Sequence, residues 1–239
     1  MRISTIDCKK ATAANELVDS LRQTGFAVLA NHPIPIDCLH ELYAQWKLFF
    51  LSKDKHQFHV SKEQLFDSQA GYYPPELSET AVGAEKKDLK EFFHARPNHQ
   101  LPENVAEITE TYRSLALELG GTLLKWIESE VPSAFDSLSQ SITSLICPDA
   151  SLLRVLHYPP LESLETDALR AAPHEDINLI TILPASKESG LEVQDNQGVW
   201  HKVSTNTQQI IINCGDMLSE LTDGCFPSTT HRVMNPTYG

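Results

Sequence analysis

The feature that most constrains the fold is an abrupt change of sequence pattern at Cys147-Pro148. Before this point, apolar residues recur at intervals of three and four, which is the period of an amphipathic helix. After it, the apolar segments are short, β-branched residues become frequent, and a turn signal occurs roughly every ten residues. Several short strands at this spacing favour a two-sheet sandwich or a barrel.

The first half of the chain is predicted to be mostly helical. Helices are predicted over four segments: 11–22, 36–51, 105–126 and 133–146. The third has the longest apolar stripe of the chain, in spite of Gly120 and Gly121 within it, and a short strand is predicted over 25–30. By composition, segment 69–75 is expected to be a loop and His94 a solvated residue.

The second half is predicted to be β-rich. Six strands are predicted: 152–158, 178–183, 191–195, 199–203, 208–213 and 229–234. The expected fold class is therefore mainly β with N-terminal helices. We predict an N-terminal helical region over 1–100 that packs on the core, and a region over 101–239 that contains the long helix and the β-rich domain.

Composition and charge narrow the class of protein. The 239 residues are 41% hydrophobic, which is enough for a sizeable core. Nineteen basic and 32 acidic residues give a formal net charge of −13, so a nucleic-acid partner is not expected.

The five cysteines are far apart and odd in number, which favours free thiols. With no signal-peptide or membrane-span pattern, we expect a cytoplasmic protein with no membrane contact. The oligomeric state stays open.

One short motif in the β-rich half, His174-Glu175-Asp176, contains side chains of the kind that bind metal ions. His174 and Asp176 are two residues apart, and side chains at i and i+2 of a strand point to the same side, so Glu175 points away. Fifty-four residues separate Asp176 from His231, which would add a second imidazole from a distant strand. Two imidazoles and one carboxylate leave three positions of a six-coordinate Fe(II) for a chelating cosubstrate and O₂. An H-x-D tripeptide alone also occurs by chance.

The wider sequence resembles the isopenicillin N synthase-like branch of the Fe(II)/2-oxoglutarate-dependent oxygenases. The resemblance spans nearly the whole chain and keeps the family order. Eight segments carry it, together with Ile34 and Trp200: 25–32 (GFAVLANH), 71–74 (GYYP), 88–92 (DLKEF), 153–159 (LRVLHYP), 174–183 (HEDINLITIL), 190–193 (GLEV), 212–217 (INCGDM) and 228–233 (STTHRV). Together these segments are far more specific than the H-x-D tripeptide. The resemblance implies a double-stranded β-helix, or jelly-roll, core flanked by α-helices.

The resemblance also implies a set of site residues. His174, Asp176 and His231 would bind Fe(II), with 2-oxoglutarate and O₂ as cosubstrates. Tyr158 matches the tyrosine that hydrogen-bonds the cosubstrate carboxylate, and the alternative is a core tyrosine with a buried hydroxyl partner. Arg154 shares a strand face with Tyr158 and is a candidate residue of the same cavity, with a structural ion pair as the alternative.

The implied activity is oxidation, by default hydroxylation, of a small organic substrate with release of succinate and CO₂. Two alternatives are an oxidase that takes all its electrons from the substrate, as isopenicillin N synthase does, and a non-catalytic module that binds a metal or a small molecule. The sequence cannot name the substrate.

One departure from the family pattern concerns the cosubstrate. The family places an R-x-S motif shortly after the distal histidine, and its arginine pairs with the far carboxylate of 2-oxoglutarate. This sequence ends at Gly239, eight residues after His231, and contains no arginine after Arg232. We therefore expect the motif to lie beyond Gly239.

Overall fold

The structure is a computed structural model, and it describes residues 1–80, 86–130, 141–161 and 166–236. In these ranges the strands are β1 (Thr5–Asp7), β2 (Phe26–Ala30), β3 (Gly71–Tyr73), β4 (Glu91–Ala95), β5 (Leu153–His157), β6 (Ala171–His174), β7 (Ile180–Pro184), β8 (Leu191–Gln194), β9 (Trp200–Lys202), β10 (Ile210–Cys214) and β11 (His231–Val233). The α-helices are α1 (Ala13–Thr24), α2 (Ile36–Leu51), α3 (Lys62–Phe66), α4 (Glu103–Ser129) and α5 (Asp216–Leu221). Three 3₁₀ turns cover Lys53–Phe58, Pro75–Leu77 and Ile142–Leu145.

Most of the predicted elements are present. The helices predicted over 11–22, 36–51 and 105–126 correspond to α1, α2 and α4, and each of the six strands predicted after Cys147 has a counterpart. The helix predicted over 133–146 lies largely outside the described residues, and its last part is the 3₁₀ turn Ile142–Leu145. Among the described residues, no helix is both long and apolar enough to cross a bilayer.

Two expectations for the first half are wrong. Segment 69–75 contains strand β3 rather than only a loop, and His94 is 4% exposed within β4 rather than solvated. Charged and polar residues hide the strand pattern of β4, because Glu91 and His94 are buried with hydrogen-bond partners from neighbouring elements. A buried polar group with partners is common in folded proteins, but its residue type predicts exposure.

Contacts divide the described chain into two compact units, and the first comprises 1–33, 118–130, 141–146 and 173–236. It contains a sheet of order β1-β2-β10-β7 and most of a sheet of order β6-β11-β8-β9. Buried Phe26, Val28 and Ile211 of the first sheet pack with Val193 of the second. The two sheets therefore face each other across an apolar core, as in a sandwich.

The second unit comprises 34–80, 86–117, 147–161 and 166–172. Its three-stranded sheet has the order β3-β4-β5. Trp46 and Phe49 of α2 pack against Phe93 of β4, with ring centroids 5.0 and 5.5 Å apart. The indole nitrogen of Trp46 donates a hydrogen bond of 3.0 Å to Thr109 of α4, so the helices and the sheet share one aromatic core. The predicted division between 1–100 and 101–239 stays a prediction.

Candidate metal centre

The three predicted ligand residues meet in the first compact unit. His174 is the last residue of β6, His231 is the first residue of β11, and these strands are neighbours in one sheet. Asp176 lies in the loop after β6, so the expectation of a strand that runs through both His174 and Asp176 is wrong. The strand ends at His174 because the next residues bond to the start of α5, where the backbone N–H of Asp216 donates to the carbonyl of Asp176.

The ligand atoms of these side chains face one another. The Nε2 atoms of His174 and His231 each lie 3.9 Å from Oδ1 of Asp176, and the two imidazole centroids are 4.3 Å apart. One ligand atom from each side chain lies within 4.8 Å of the other two. Two atoms bound to the same ion at about 2.1 Å can be about 4.2 Å apart at most, so both 3.9 Å separations allow a shared ion.

The environment of His231 favours the neutral imidazole. Its side chain is 10% exposed and meets the ring of Phe26 edge-on at 5.4 Å. Burial, followed by the neighbouring His174, lowers the pKa of His231. Its Nδ1 lies 3.0 Å from the carbonyl of Thr229, and because a carbonyl oxygen only accepts, this nitrogen carries the proton. Nε2 is then unprotonated, and its lone pair is available to bind a metal ion.

Asp176 is held by hydrogen bonds at one of its two oxygens. Oδ2 accepts from the hydroxyl of Thr181 at 2.6 Å and from the amide of Asn213 at 2.9 Å. Burial raises the pKa of Asp176, but the effects of His231, Thr181 and Asn213 outweigh it, and the net shift is downward. Asp176 is therefore an anion at neutral pH, which is the form that binds a metal ion.

Glu175, between His174 and Asp176, is hydrogen-bonded to the segment that leads to His231. Its Oε1 accepts a hydrogen bond of 2.7 Å from the hydroxyl of Thr230. This contact ties the loop between His174 and Asp176 to the residue before His231. Glu175 therefore helps to hold together the two chain segments that carry the predicted ligands.

Arg154 and Tyr158 belong to the second compact unit. The guanidinium of Arg154 makes an ion pair with Glu79 at 2.9 Å, donates to Nε2 of His94 at 2.9 Å, and stacks over the ring of Phe92. Arg170 lies over the ring of Tyr158, 5.2 Å from its centroid. Burial, together with the negative charge of Asp88, raises the pKa of the Tyr158 hydroxyl, which therefore stays protonated and able to donate.

Sequence reasoning missed Thr181 and Asn213. Threonine is an ordinary residue of a strand, so Thr181 gives little signal. Asn213 does give a signal, because it interrupts the apolar run of β10 and is 2% exposed. A buried amide requires hydrogen-bond partners, and Asp176 is one of them.

The donor set fits a ferrous ion. Among the described residues, His174, Asp176 and His231 are the one group of three or more histidine, cysteine and acidic residues close enough to hold a metal ion. Two imidazole nitrogens and one carboxylate on a common side are typical of non-haem Fe(II) centres with open positions, whereas thiolates are absent from the group.

Comparison with known proteins agrees with this centre. Residues 150–239 match the 2OG-Fe(II) oxygenase superfamily, and residues 3–114 match the N-terminal region described for a non-haem dioxygenase in morphine synthesis. The 2-oxoglutarate-dependent dioxygenase citB of Monascus ruber is 30% identical over 258 residues, which are 93% of this chain and 75% of that protein.

Solved structures give the same result. The crystal structure of a protein described as an oxygenase from Shewanella oneidensis has a TM-score of 0.88 and 40% identity, and the match covers 100% of this chain and 85% of that one. At the level of the fold alone, a full-length Neurospora crassa protein in complex with alpha-KG and thymine has a TM-score of 0.73 and 21% identity, over 99% of this chain and 81% of that one.

The chain belongs to the 2OG-Fe(II) oxygenase superfamily, in its isopenicillin N synthase-like branch. Its fold is the predicted jelly-roll core with flanking helices, which the structural matches confirm. It is an Fe(II)- and 2-oxoglutarate-dependent dioxygenase, so its cofactors are Fe(II) and 2-oxoglutarate, with O₂ as the oxidant.

Proposed function

We propose that His174, Asp176 and His231 bind the ferrous ion of this dioxygenase. The observation that carries the proposal is that Oδ1 of Asp176 lies 3.9 Å from Nε2 of each histidine. The proton on Nδ1 of His231 keeps its Nε2 available as a ligand, and the anionic Asp176 offsets one of the two charges of the ion.

The iron and 2-oxoglutarate, when bound, supply the redox chemistry: decarboxylation to succinate and CO₂ coupled to oxidation of a substrate C–H bond by O₂. The residues of this chain position the reactants. We propose that the Tyr158 hydroxyl donates a hydrogen bond to the cosubstrate carboxylate, which its protonated state supports. The ion pair with Glu79 supports the structural interpretation of Arg154, whose role as a cosubstrate contact stays a prediction.

The proposed substrate is a small organic molecule, and hydroxylation is the proposed outcome. Support comes from the similar fold of the Neurospora crassa protein crystallised with thymine. We also propose a cytoplasmic location, because the five cysteines are free thiols, as expected in a reducing compartment. Neither nucleic acid nor a membrane is proposed as a partner, in view of the net charge of −13.

The experiment combines a binding test with a product test. Anaerobic protein with Fe(II) and 2-oxoglutarate is expected to give a visible charge-transfer band. His174→Ala removes one ligand and is expected to abolish the band, whereas His99→Ala, which removes an exposed histidine, is expected to keep it. Succinate formed in air separates this activity from an oxidase that takes its electrons from the substrate alone. The absence of a band in full-length protein that carries the expected R-x-S motif would overturn the proposed function.

A further inference from the structure

The two oxygens of the Asp176 carboxylate have different environments. Oδ1 faces the Nε2 atoms of both histidines at 3.9 Å. Oδ2 is directed away from them by two donors, the hydroxyl of Thr181 and the amide of Asn213, at 2.6 and 2.9 Å. The carboxylate therefore has one oxygen for the centre and one that is engaged by the protein.

Both donors come from a single pair of residues in the sheet. Thr181 of β7 and Asn213 of β10 are directly opposite each other on antiparallel strands. Side chains of such a pair lie on the same face of the sheet, about 5 Å apart. The pair thus presents two donors at a fixed spacing to one oxygen of a loop residue, and Asn213 is 2% exposed, so water does not replace its bond easily.

The direction of the Thr181 hydroxyl is also fixed. The side-chain amide of Asn178 donates to Oγ1 of Thr181 at 2.8 Å. Because Oγ1 accepts this bond, its own proton is available for Oδ2 of Asp176. Hydrogen bonds therefore run from Asn178 to Thr181 and from Thr181 to Asp176, and Asn213 adds the second bond to the same oxygen.

The segment after Asn213 holds the backbone of the same loop. The N–H groups of Asp216 and Met217 donate to the carbonyls of Asp176 and Asn178 at 2.8 and 3.1 Å. A Cβ atom at Gly215 would lie 2.6 Å from the carbonyl oxygen of Asp176 and would overlap Asn178. Residues 213–217, at the end of β10 and the start of α5, thus contact the Asp176 loop with side chain and backbone.

We propose that Asn213 and Thr181 are positioning residues that restrict Asp176 to one metal-binding oxygen. The inference rests on the proposed function and follows from the number of coordination positions around the ferrous ion. Two imidazoles and one carboxylate oxygen occupy three of six positions, which leaves three for a bidentate cosubstrate and O₂. A carboxylate that bound the ion through both oxygens would leave only two coordination positions. The hydrogen bonds to Oδ2 therefore keep the third of these coordination positions available for O₂ or the cosubstrate.

The test measures the 2-oxoglutarate dissociation constant at saturating Fe(II), under anaerobic conditions, from the charge-transfer band. Thr181→Val keeps the shape and removes the donor, and Asn213→Leu removes the amide. Each is expected to raise the dissociation constant about tenfold or more, the lower end of the effect of such supporting bonds. Thr181→Ser restores the hydroxyl and is expected to return the constant to within about twofold of the parent.

A control variant separates this role from a general loss of structure. Thr122→Val removes an exposed hydroxyl that bonds only the carbonyl of Glu118 within α4, and it is expected to leave the constant unchanged. If Asn213→Leu does not fold, the near-isosteric Thr181→Val carries the test. A constant within about twofold of the parent in folded Thr181→Val would overturn the inference.

The proposed function is tested separately by Mn(II) titration. Mn(II) binding by the parent and its loss in His174→Ala would keep the ligand set, so an unchanged 2-oxoglutarate constant in Thr181→Val would then reject the positioning role alone. No Mn(II) binding by the parent would reject both.

Discussion

At the scale of the residue, Gly25 links the N-terminal helix to the proposed metal centre. It ends α1 with a φ of 69°, and a Cβ atom there would lie 2.5 Å from the carbonyl oxygen of Pro227 and would overlap Thr229. The carbonyl of Thr229 accepts the hydrogen bond that orients His231. A residue without a side chain is therefore needed where the end of α1 meets the segment that leads to His231.

Gly25→Ala is expected to lower the free energy of unfolding by about 2–4 kcal/mol, from left-handed strain of about 1 kcal/mol and steric overlap of about 1–3 kcal/mol. Gly224→Ala is the matched control, because Gly224 has a similar φ of 76° and no atom within 4 Å of its added Cβ. It is expected to cost only about 1 kcal/mol. Urea unfolding measures both, and equal losses would contradict the steric explanation.

The sequence pointed to the three proposed ligands but not to the residues that position Asp176 among them. His174, Asp176 and His231 stand out because imidazole and carboxylate groups at these spacings suggest a metal. Thr181 and Asn213 act through hydrogen bonds to Asp176 that only the register between β7 and β10 creates. That register depends on contacts between segments about 30 residues apart, which a local pattern does not contain.

At the scale of the element, Glu91 joins β4 to its neighbours in the second unit. Its carboxylate accepts hydrogen bonds from Lys55 at 2.8 Å, from His157 at 2.7 Å and from the hydroxyl of Tyr72. These residues belong to the 3₁₀ turn before α3, to β5 and to β3. Burial raises the pKa of Glu91, but the bonds from His157, Lys55 and Tyr72 outweigh it and lower the pKa to about 2.

The lowered pKa gives a pH dependence with a defined sign. A carboxylate whose pKa is lower in the folded state stabilises the fold above its unfolded pKa, about 4.3, and loses that effect as the pH falls to the folded value. Glu91→Gln is expected to cost about 3 kcal/mol at pH 7, and the difference from the parent is expected to shrink between about pH 4.5 and pH 2.

Urea unfolding at a series of pH values measures this difference. The exposed Glu118 of α4 provides the control, because Glu118→Gln is expected to leave both the stability and its pH dependence unchanged. A Glu91→Gln penalty that stays constant down to pH 2 would contradict the role of the ionised carboxylate.

The elements differ in how well the sequence predicted them. Amphipathic helices such as α4 carry their pattern within themselves, because one face is apolar along the whole length. Strands β3 and β4 do not, since Glu91 and His94 are buried only because other segments supply Lys55, Tyr72 and Arg154. Their pairing is a tertiary property, and the local composition predicted a loop and a polar segment.

At the scale of the whole molecule, the three proposed ligands lie in one of the two compact units. That unit is assembled from three separate stretches of the chain, and its first sheet pairs β2 of the first stretch with β10 of the last. A metal ion bound by His174, Asp176 and His231 would therefore stabilise contacts between distant segments of a single unit.

Metal binding is expected to stabilise the folded protein measurably. Mn(II) at about 100 times its dissociation constant is expected to raise the free energy of unfolding by about 2.7 kcal/mol, because the ion binds only the folded state. Denaturant titration with and without Mn(II) measures the increase, and hydrogen exchange is expected to slow in β7, β10 and β11. His231→Ala is expected to remove the increase, and an equal increase in that variant would contradict the proposed ligand set.

The packing of His231 on Phe26 also bears on the order in which the proposed iron ligands become available during synthesis. The ring contact joins residues 205 positions apart, and His231 leaves the ribosome 55 residues after Asp176. At ordinary translation rates this interval lasts roughly 3–11 s. During that time a nascent chain can offer an ion only the two early ligands. With the proposed ligand set, complete iron binding therefore requires that residues 227–231 have first packed beside Gly25 and Phe26.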